Sequence, residues 1–459
     1  PLSTKLIVKA TARNIIDLLL GRLDRDSGQL VKNSSWVFLA NAVATLLAFV
    51  KTILISRTLG ADMFGIYALS VAAVLTIQEF LRLNIAMGLV KYGAQFIAEK
   101  RSDKVAGIFK YGVLLSAVSV AASVALVSIL LSTSYSYFFK AEGLQMFILA
   151  FSIANGLSFF DAISRAALRL YSKFRINSML QIIMDILEFA TVAITLLTFG
   201  ADLEAFFTAI IVSKTVNSIV CSTAAYTEVK KQLPELFRIP ISSITKDRPS
   251  FNKYILGNSM SSSIKVFMNQ GDVILLGLLG TTVQVGYYST AKKLAYSILS
   301  ITDPLTSAIF PQFSHLAAEK AYTRIRIMLS TTTRLLLPLA IVILVAGFFF
   351  REQIIRMLFG NEFTGASMPF FILLISAIQG SLFFWSVPLM QSLGLIRKRL
   401  LIHIFAILLG GVIAFLLINS YQASGVAVGL LCANLFITAM FILMSISRMK
   451  SKVTYPSPS

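Results

Sequence analysis

The chain has 459 residues, a length that in water would mean two or three domains. Its composition excludes that: 56% of residues are hydrophobic, 14% are charged and mean hydropathy is +0.80, whereas a soluble domain carries roughly a quarter charged residues. The formal charge of +20 would suggest nucleic acid in a soluble protein, but in so apolar a chain it reads as topogenic charge, and no nucleic-acid partner is expected.

Apolar runs of about twenty residues match a helix crossing a bilayer core of about 30 Å. The expected fold class is therefore an all-α polytopic membrane protein with twelve transmembrane helices. In chain order, residues 1–33 form an N-terminal segment in which Lys5, Lys9 and Arg13 recur every fourth residue beside the apolar Ile15–Leu20 run. That pattern fits either a short interfacial helix on an anionic leaflet or a partly ordered tail. The apolar run is too short for a cleavable signal.

Twelve spans follow, near 36–56, 64–81, 111–132, 144–164, 178–199, 205–226, 254–278, 284–305, 332–350, 366–389, 400–418 and 424–446. Amphipathic stretches around Leu83–Ile97 and Ile309–Ile325 lie between spans two and three and between spans eight and nine. Residues 448–459 form a tail whose last six, Thr454–Ser459, include two prolines and read as disordered.

The basic residues test this map. With residue 1 inside, thirty-two of the 41 Lys and Arg fall in the termini and inner connections, and only Arg57, Lys140, Arg351 and Arg356 fall outside. One missed helix would invert every later loop and destroy that asymmetry, so both termini are expected in the cytoplasm, with the chain in the cytoplasmic membrane.

An internal repeat divides the chain. Leu59-Gly60 followed by Gly65-Ile66-Tyr67 joins spans one and two; Leu279-Gly280 followed by Gly286-Tyr287-Tyr288 joins spans seven and eight, 220 residues on. Gln95–Lys100 and His315–Lys320 share the same offset. Six spans per half is even, so the repeat is parallel: an N-lobe over 34–226, a C-lobe over 254–447, and between them a polar linker, 227–253, carrying Pro234, Pro240 and Pro249. Transporters built this way bind substrate between the lobes and rock them.

These turns, with the run Asp272–Gly280 opening the second half and the basic amphipathic connections, resemble the polysaccharide-transporter (Wzx-type) flippases of the multidrug/oligosaccharidyl-lipid/polysaccharide exporter superfamily. The resemblance covers nearly the whole chain after about residue 30. It implies movement of a polyprenyl-(pyro)phosphate-linked oligosaccharide to the outer leaflet, with membrane lipids as surroundings. It also implies that the first two spans of each lobe border a central cavity.

Ionisable groups within spans are costly and usually face the bundle interior. Five lysines lie there: Lys51, Lys214, Lys265, Lys292 and Lys293. Ammonium groups would offset the charge of a pyrophosphate, and Asn269, Gln270, Tyr287, Tyr288 and Ser289 are available for sugars. Lys51 alternatively snorkels to the headgroups. Lys292 and Lys293, being adjacent, point roughly 100° apart, so only one is expected to face a narrow cavity. Asp272 stands seven residues from Lys265, two turns along one face, as a charge stripe within the lobe. Asp185 and Glu188 share a helix face and fit either Na+ or H+ coupling or a pairing with arginines or Lys214. Asp161, Arg165 and Arg169 form a ladder that suits a solvated helix end or a vestibule drawing in pyrophosphate, and Arg334 fits the vestibule or an anchoring role.

No cofactor or metal site is expected: Cys221 and Cys432 lack a CxxC spacing, and His315 and His403 cannot complete a cluster. Neither a Walker A motif nor a nucleophile elbow is present, and every outer connection is short, so the chain reads as a transporter rather than an enzyme. The rival reading is an ion-coupled multidrug exporter of the same superfamily, which would want a less basic cavity and a carboxylate in the first lobe.

Overall fold

The computed structural model describes residues 25–139, 143–234 and 238–454, with side chains from residue 35 onward apart from 136–139, 260–265, 300, 301, 303, 304, 307, 308 and 450–454. The interfacial-helix expectation lies outside the described residues up to residue 24, as does the tail beyond Thr454. From Arg25 the chain is already helical.

Among the described residues the secondary structure is helical throughout: α1 (Arg25–Leu81), α2 (Ile85–Ala98), α3 (Ser102–Phe139), α4 (Gln145–Gly156), α5 (Ser158–Leu170), α6 (Phe174–Phe199), α7 (Leu203–Gln232), α8 (Arg248–Leu279), α9 (Thr282–Ser297), α10 (Leu299–Ala318), α11 (Tyr322–Phe359), α12 (Ser367–Leu382), α13 (Ser386–Ser392) and α14 (Ile396–Thr454). Short 3-10 turns occupy Ile241–Ile244 and Asn361–Ala366. Among the described residues, eight helical stretches are long and apolar enough to cross a membrane, the longest being Ser35–Ala98 and Ile396–Met449. The protein is a multi-pass membrane protein.

Two of the expected loops are absent. Spans one and two lie in the single element α1, interrupted at Gly60 (φ +73°), and spans eleven and twelve in α14, interrupted at Gln422 (φ +46°). A residue with positive φ redirects the chain within one peptide unit, so no polar loop is needed. Elsewhere local chemistry sets the ends. Asp202 caps α7 by accepting from Glu204 N and Ala205 N at 2.9 and 3.1 Å, and Pro249 sits in the first turn of α8, where its missing N–H costs nothing.

The apolar side chains pack into three cores. One lies at the end of the molecule that carries Gly60 and draws on both halves of the chain: Leu69 and Phe206 from the first, Leu276, Tyr288 and Phe363 from the second. The other two lie at the opposite, linker end and are separate. Phe96, Phe109 and Val229 build one, largely from the first half; Phe313, Trp385 and Phe441 build the other, from the second. The element α8 joins two of these bodies, since Phe251 and Ile255 sit in the first-half core while Val273 and Leu276 sit in the shared one.

At the Gly60 end, α1 and α9 meet backbone to backbone. A Cβ on Gly65 would collide with the Thr282 carbonyl, and a Cβ on Gly286 with the Ala61 carbonyl. The contact is reciprocal: each glycine of the repeated turn faces the start of the other copy. Asp62 accepts a hydrogen bond from the Thr282 hydroxyl, and Arg57 donates to the Met357 and Leu358 carbonyls. Those carbonyls end α11, where the helix has no intrahelical donor left and the dipole favours a cation. The linker, by contrast, is tied to the first half. Lys104 pairs with Asp247 at 2.7 Å, Lys110 donates to the Ile239 carbonyl, and the Ser243 hydroxyl to that of Asp103.

Candidate functional site: a cavity between the two halves

A cavity of about 520 Å³ lies between α1 of the first half and α8, α9 and α14 of the second. From α1 come Thr45, Phe49, Thr52 and Tyr67; from the facing side come Asn269, Gln270, Ser289, Lys292, Lys293, Tyr296 and Asn434. The α9 contributors follow helical spacing, with Ser289, Lys292, Lys293 and Tyr296 on adjoining turns.

The second-half wall is a built hydrogen-bond network. Tyr288, fully buried, donates from Oη to Asp272 Oδ2 at 2.5 Å. Lys292 Nζ reaches the same oxygen and the Asn269 carbonyl, both at 2.6 Å. Deeper in, Asn434 Nδ2 donates to Tyr296 Oη and Ser376 Oγ at 3.0 and 2.8 Å. Lys292 is thereby neutralised by Asp272. Lys293 makes no ion pair with any described residue and is among the cavity's lining residues.

Beside the cavity, the first half carries a second set of charges. Lys51 on α1 pairs with Glu188 on α6 at 2.5 Å, both about three-quarters buried. Lys214 on α7 lies over the Phe151 ring at 5.9 Å and within electrostatic reach of Glu188 and Asp161. Asp185 lies near Glu188 and Arg165, and its Oδ2 is buried with no hydrogen-bond partner among the described residues. Asn217 donates to Asp161 Oδ2 at 3.1 Å, and Arg165 approaches Cys221 Sγ at 3.7 Å. These groups form a polar track inside an apolar bundle, running from Lys51 to Arg165.

Residues 30–317 match the family described as "Polysaccharide biosynthesis protein". The chain belongs to that family. A 345-residue stretch, 75% of the chain, is 22% identical to 68% of the Haloferax volcanii protein named "Probable low-salt glycan biosynthesis flippase Agl15". Two solved structures share the fold at 14% identity. An inward-facing multidrug resistance MATE family transporter of the MOP superfamily has a TM-score of 0.68, covering 90% of this chain and 96% of its own. The lipid II flippase MurJ in an inward closed conformation has 0.66, covering 90% and 87%.

In this polysaccharide biosynthesis protein the sequence-predicted groups sort as follows. Asn269, Gln270, Ser289, Lys292 and Lys293 line the cavity. Both adjacent lysines, which leave the helix roughly 100° apart, are among its lining residues, Lys292 being tied to Asp272. Tyr288 is corrected: its hydroxyl is buried on Asp272 and unavailable to a sugar. Tyr287 packs on Phe363 and Gly365 at the Gly60 end, away from the cavity lining. Asp272 takes Lys292, on the neighbouring helix, as its partner; the side chain of Lys265 lies outside the described residues. Lys51, Lys214, Asp185, Glu188 and Arg165 come together in the first half. Arg169 and Arg334 are exposed, and neither is among the cavity's lining residues. Sequence reasoning missed Tyr296 and Asn434, although polar residues recurring every three to four positions inside an apolar span were the readable signal.

Proposed function

We propose that this protein is a flippase moving a lipid-linked oligosaccharide across the cytoplasmic membrane by alternating access between two six-helix lobes, 34–226 and 254–447. The observation that carries the reading is the cavity between the halves, where the uncompensated Lys293 stands among hydroxyl and amide groups. An ammonium group offsets the charge of a phosphate or pyrophosphate in a low-dielectric site, and Thr45, Thr52, Asn269, Gln270 and Ser289 offer hydrogen bonds to sugars. The family, and the glycan flippase named among its relatives, support the same cargo.

Alternating access is supported by the packing. The shared core and reciprocal glycines close the Gly60 end, while at the linker end the two halves keep separate cores, bridged by the start of α8, whose Phe251 and Ile255 pack in the first-half core. A contact in which each repeat meets the equivalent part of the other is what a twofold relation between lobes produces. The proposed twelve crossings take Gly60 and Gln422 as turns and add α8 and the α9–α10 pair to the eight apolar stretches. The basic excess at the linker end then sets both termini in the cytoplasm.

Among the described residues lining the cavity none is a carboxylate, which disfavours a cationic drug as cargo. Energy coupling is proposed to run through the first-half track, with the unpartnered Asp185 oxygen accepting a proton and Glu188 answering through Lys51 and Lys214.

The test is flipping of a lipid-pyrophosphate oligosaccharide by the purified protein in proteoliposomes. Lys293→Gln and Lys214→Gln are expected to slow it about tenfold each, equivalent to about 1.4 kcal/mol. Asp185→Asn is expected to abolish stimulation by a pH gradient. Flipping unchanged in both lysine variants defeats the charge-compensation reading, and stimulation of Asp185→Asn by a pH gradient assigns coupling elsewhere.

A further inference from the structure

A second hollow, about 430 Å³, runs between α8 and the two arms of α14. Its wall is apolar (Phe267, Leu275, Leu408, Val412, Phe415 and Val426), and three of these are more than half exposed: Leu408 at 60%, Val412 at 57% and Phe415 at 58%. It is therefore open toward the acyl chains. The hollow exists because side chains are missing from its floor. Gly410 lets the two arms of α14 touch, a Cβ there meeting the Gly429 carbonyl, whereas a Cβ on the adjoining Gly411 would meet nothing.

This groove adjoins the lysine-bearing cavity. Met268, Leu430 and Asn434 line both, and the Asp272–Lys292 pair spans the wall between them, Asp272 on the groove side and Lys292 on the cavity side. We propose that the groove holds the polyisoprenoid tail of the lipid carrier while its phosphate-linked head occupies the cavity. This rests on the flippase reading above.

The adjacency argues for the carrier rather than for a bulk phospholipid. A phospholipid in the bilayer keeps its head at the interface, so its chains alone would fill the groove and the neighbouring cavity would take no part. A molecule whose head has left the surface needs an apolar surface beside the cavity on which its flexible chain can lie. Bilayer hydrocarbon is as apolar as leucine, so the groove gains little hydrophobic affinity. What it does is keep the tail in a hydrocarbon-like setting while the head is in transit, so that an apolar chain never displaces water or hydrogen bonds in the cavity.

The experiment uses the intact protein in vesicles and a long-chain polyprenyl phosphate with a photoreactive group near the tail end. Gly411→Trp adds a large ring at a groove-lining position where a Cβ meets nothing, and Leu197→Trp, an exposed site on α6, is the control. Labelling is expected on peptides containing Phe267 and Val412, competed by unlabelled polyprenyl phosphate but not by phosphatidylglycerol. It is expected to fall about tenfold in Gly411→Trp and to hold in the control. Equal labelling of these peptides by a diacyl phospholipid probe, or labelling indifferent to Gly411→Trp, overturns the proposal. Flipping is read in the same vesicles with a long and a truncated carrier. Gly411→Trp is expected to lower the long-to-short ratio; an unchanged ratio counts against the groove while leaving the flippase reading standing. If the wild type moves neither carrier, the flippase reading fails, and the labelling alone decides the groove.

Discussion

The two ends of the bundle are held by different means. At the linker end each half has its own core of large side chains, with Phe251 wedged among Tyr92, Tyr111 and Gly88 in one and Phe313, Trp385 and Phe441 in the other. At the Gly60 end the halves share a core, and the closest approach is made by absent side chains: Gly65 and Gly286 let two backbones meet. Interlocked aromatics resist separation because each must leave a shaped hole. The backbone contact at Gly65 and Gly286 is latched by Arg57 and Asp62 and flanked by the edge-on rings of Phe64 and Phe363, so opening it releases two polar latches and one aromatic contact. The linker-end cores thus hold each half as a folded body, and under the proposed alternating access the Gly60-end contact is the one that opens.

That difference predicts where each kind of mutation registers. Phe251→Ala, at a residue 1% exposed, removes a large ring from a core that cannot collapse around the hole; the expected cost is about 3–5 kcal/mol of stability. It is read as a lower unfolding midpoint of the purified protein, with no change in exposure of the distant seam. A normal midpoint would mean that the linker-end core is loose and the comparison false.

Gly65→Ala should behave in the opposite way. The added methyl meets the Thr282 carbonyl, a backbone atom that cannot swing aside, so overpacking of about 1–3 kcal/mol falls on the sealed state. If the seam opens during the cycle, the lobes escape the clash by opening. The population then shifts by roughly 5- to 150-fold while the unfolding midpoint barely moves. A cysteine at Ala61, buried in the seam, would report this through faster labelling by an impermeant maleimide. Gly257→Ala, whose methyl would meet nothing, is the control. A lowered midpoint without faster labelling would mean the seam is a permanent core.

Much of this was legible beforehand, and the failures have physical causes. Hydropathy found the apolar helices because a bilayer demands about twenty apolar residues whatever their neighbours. The amphipathic α2 was visible in its own period. The repeat pointed to Gly65 and Gly286 as equivalent, yet their mutual contact is a property of two helices distant in sequence. The Asp272–Lys292 pair escaped for the same reason, since the eye pairs charges along one helix and this pair crosses between two. Tyr288 was read as available because periodicity gives spacing and not the direction of a face. Loops were expected at Gly60 and Gln422 because a dip in hydropathy looks the same whether ten residues turn the chain or one does.

Those two breaks supply the smallest of the expected effects. Gly60 and Gln422 each turn a long element within one residue, but at different conformational cost. Gly60 sits at φ +73°, ψ 177°, open to a residue without Cβ, while Gln422 sits at φ +46°, ψ −121°, a region that side chains strongly disfavour. Gln422→Gly should therefore stabilise the protein by about 1 kcal/mol, the lower range for relief of such strain, offset in part by the greater freedom of glycine in the unfolded chain. The hydrogen bond that the next residue, Ala423, donates from its backbone N–H to Gln284 is retained, since it needs no Gln422 side chain. The measurement is a small rise in unfolding midpoint with Ala61 labelling unchanged. Altered seam labelling instead would mean that the strained turn is not a passive hinge but a contributor to sealing, and that the closed end is held by more than its glycines and latches.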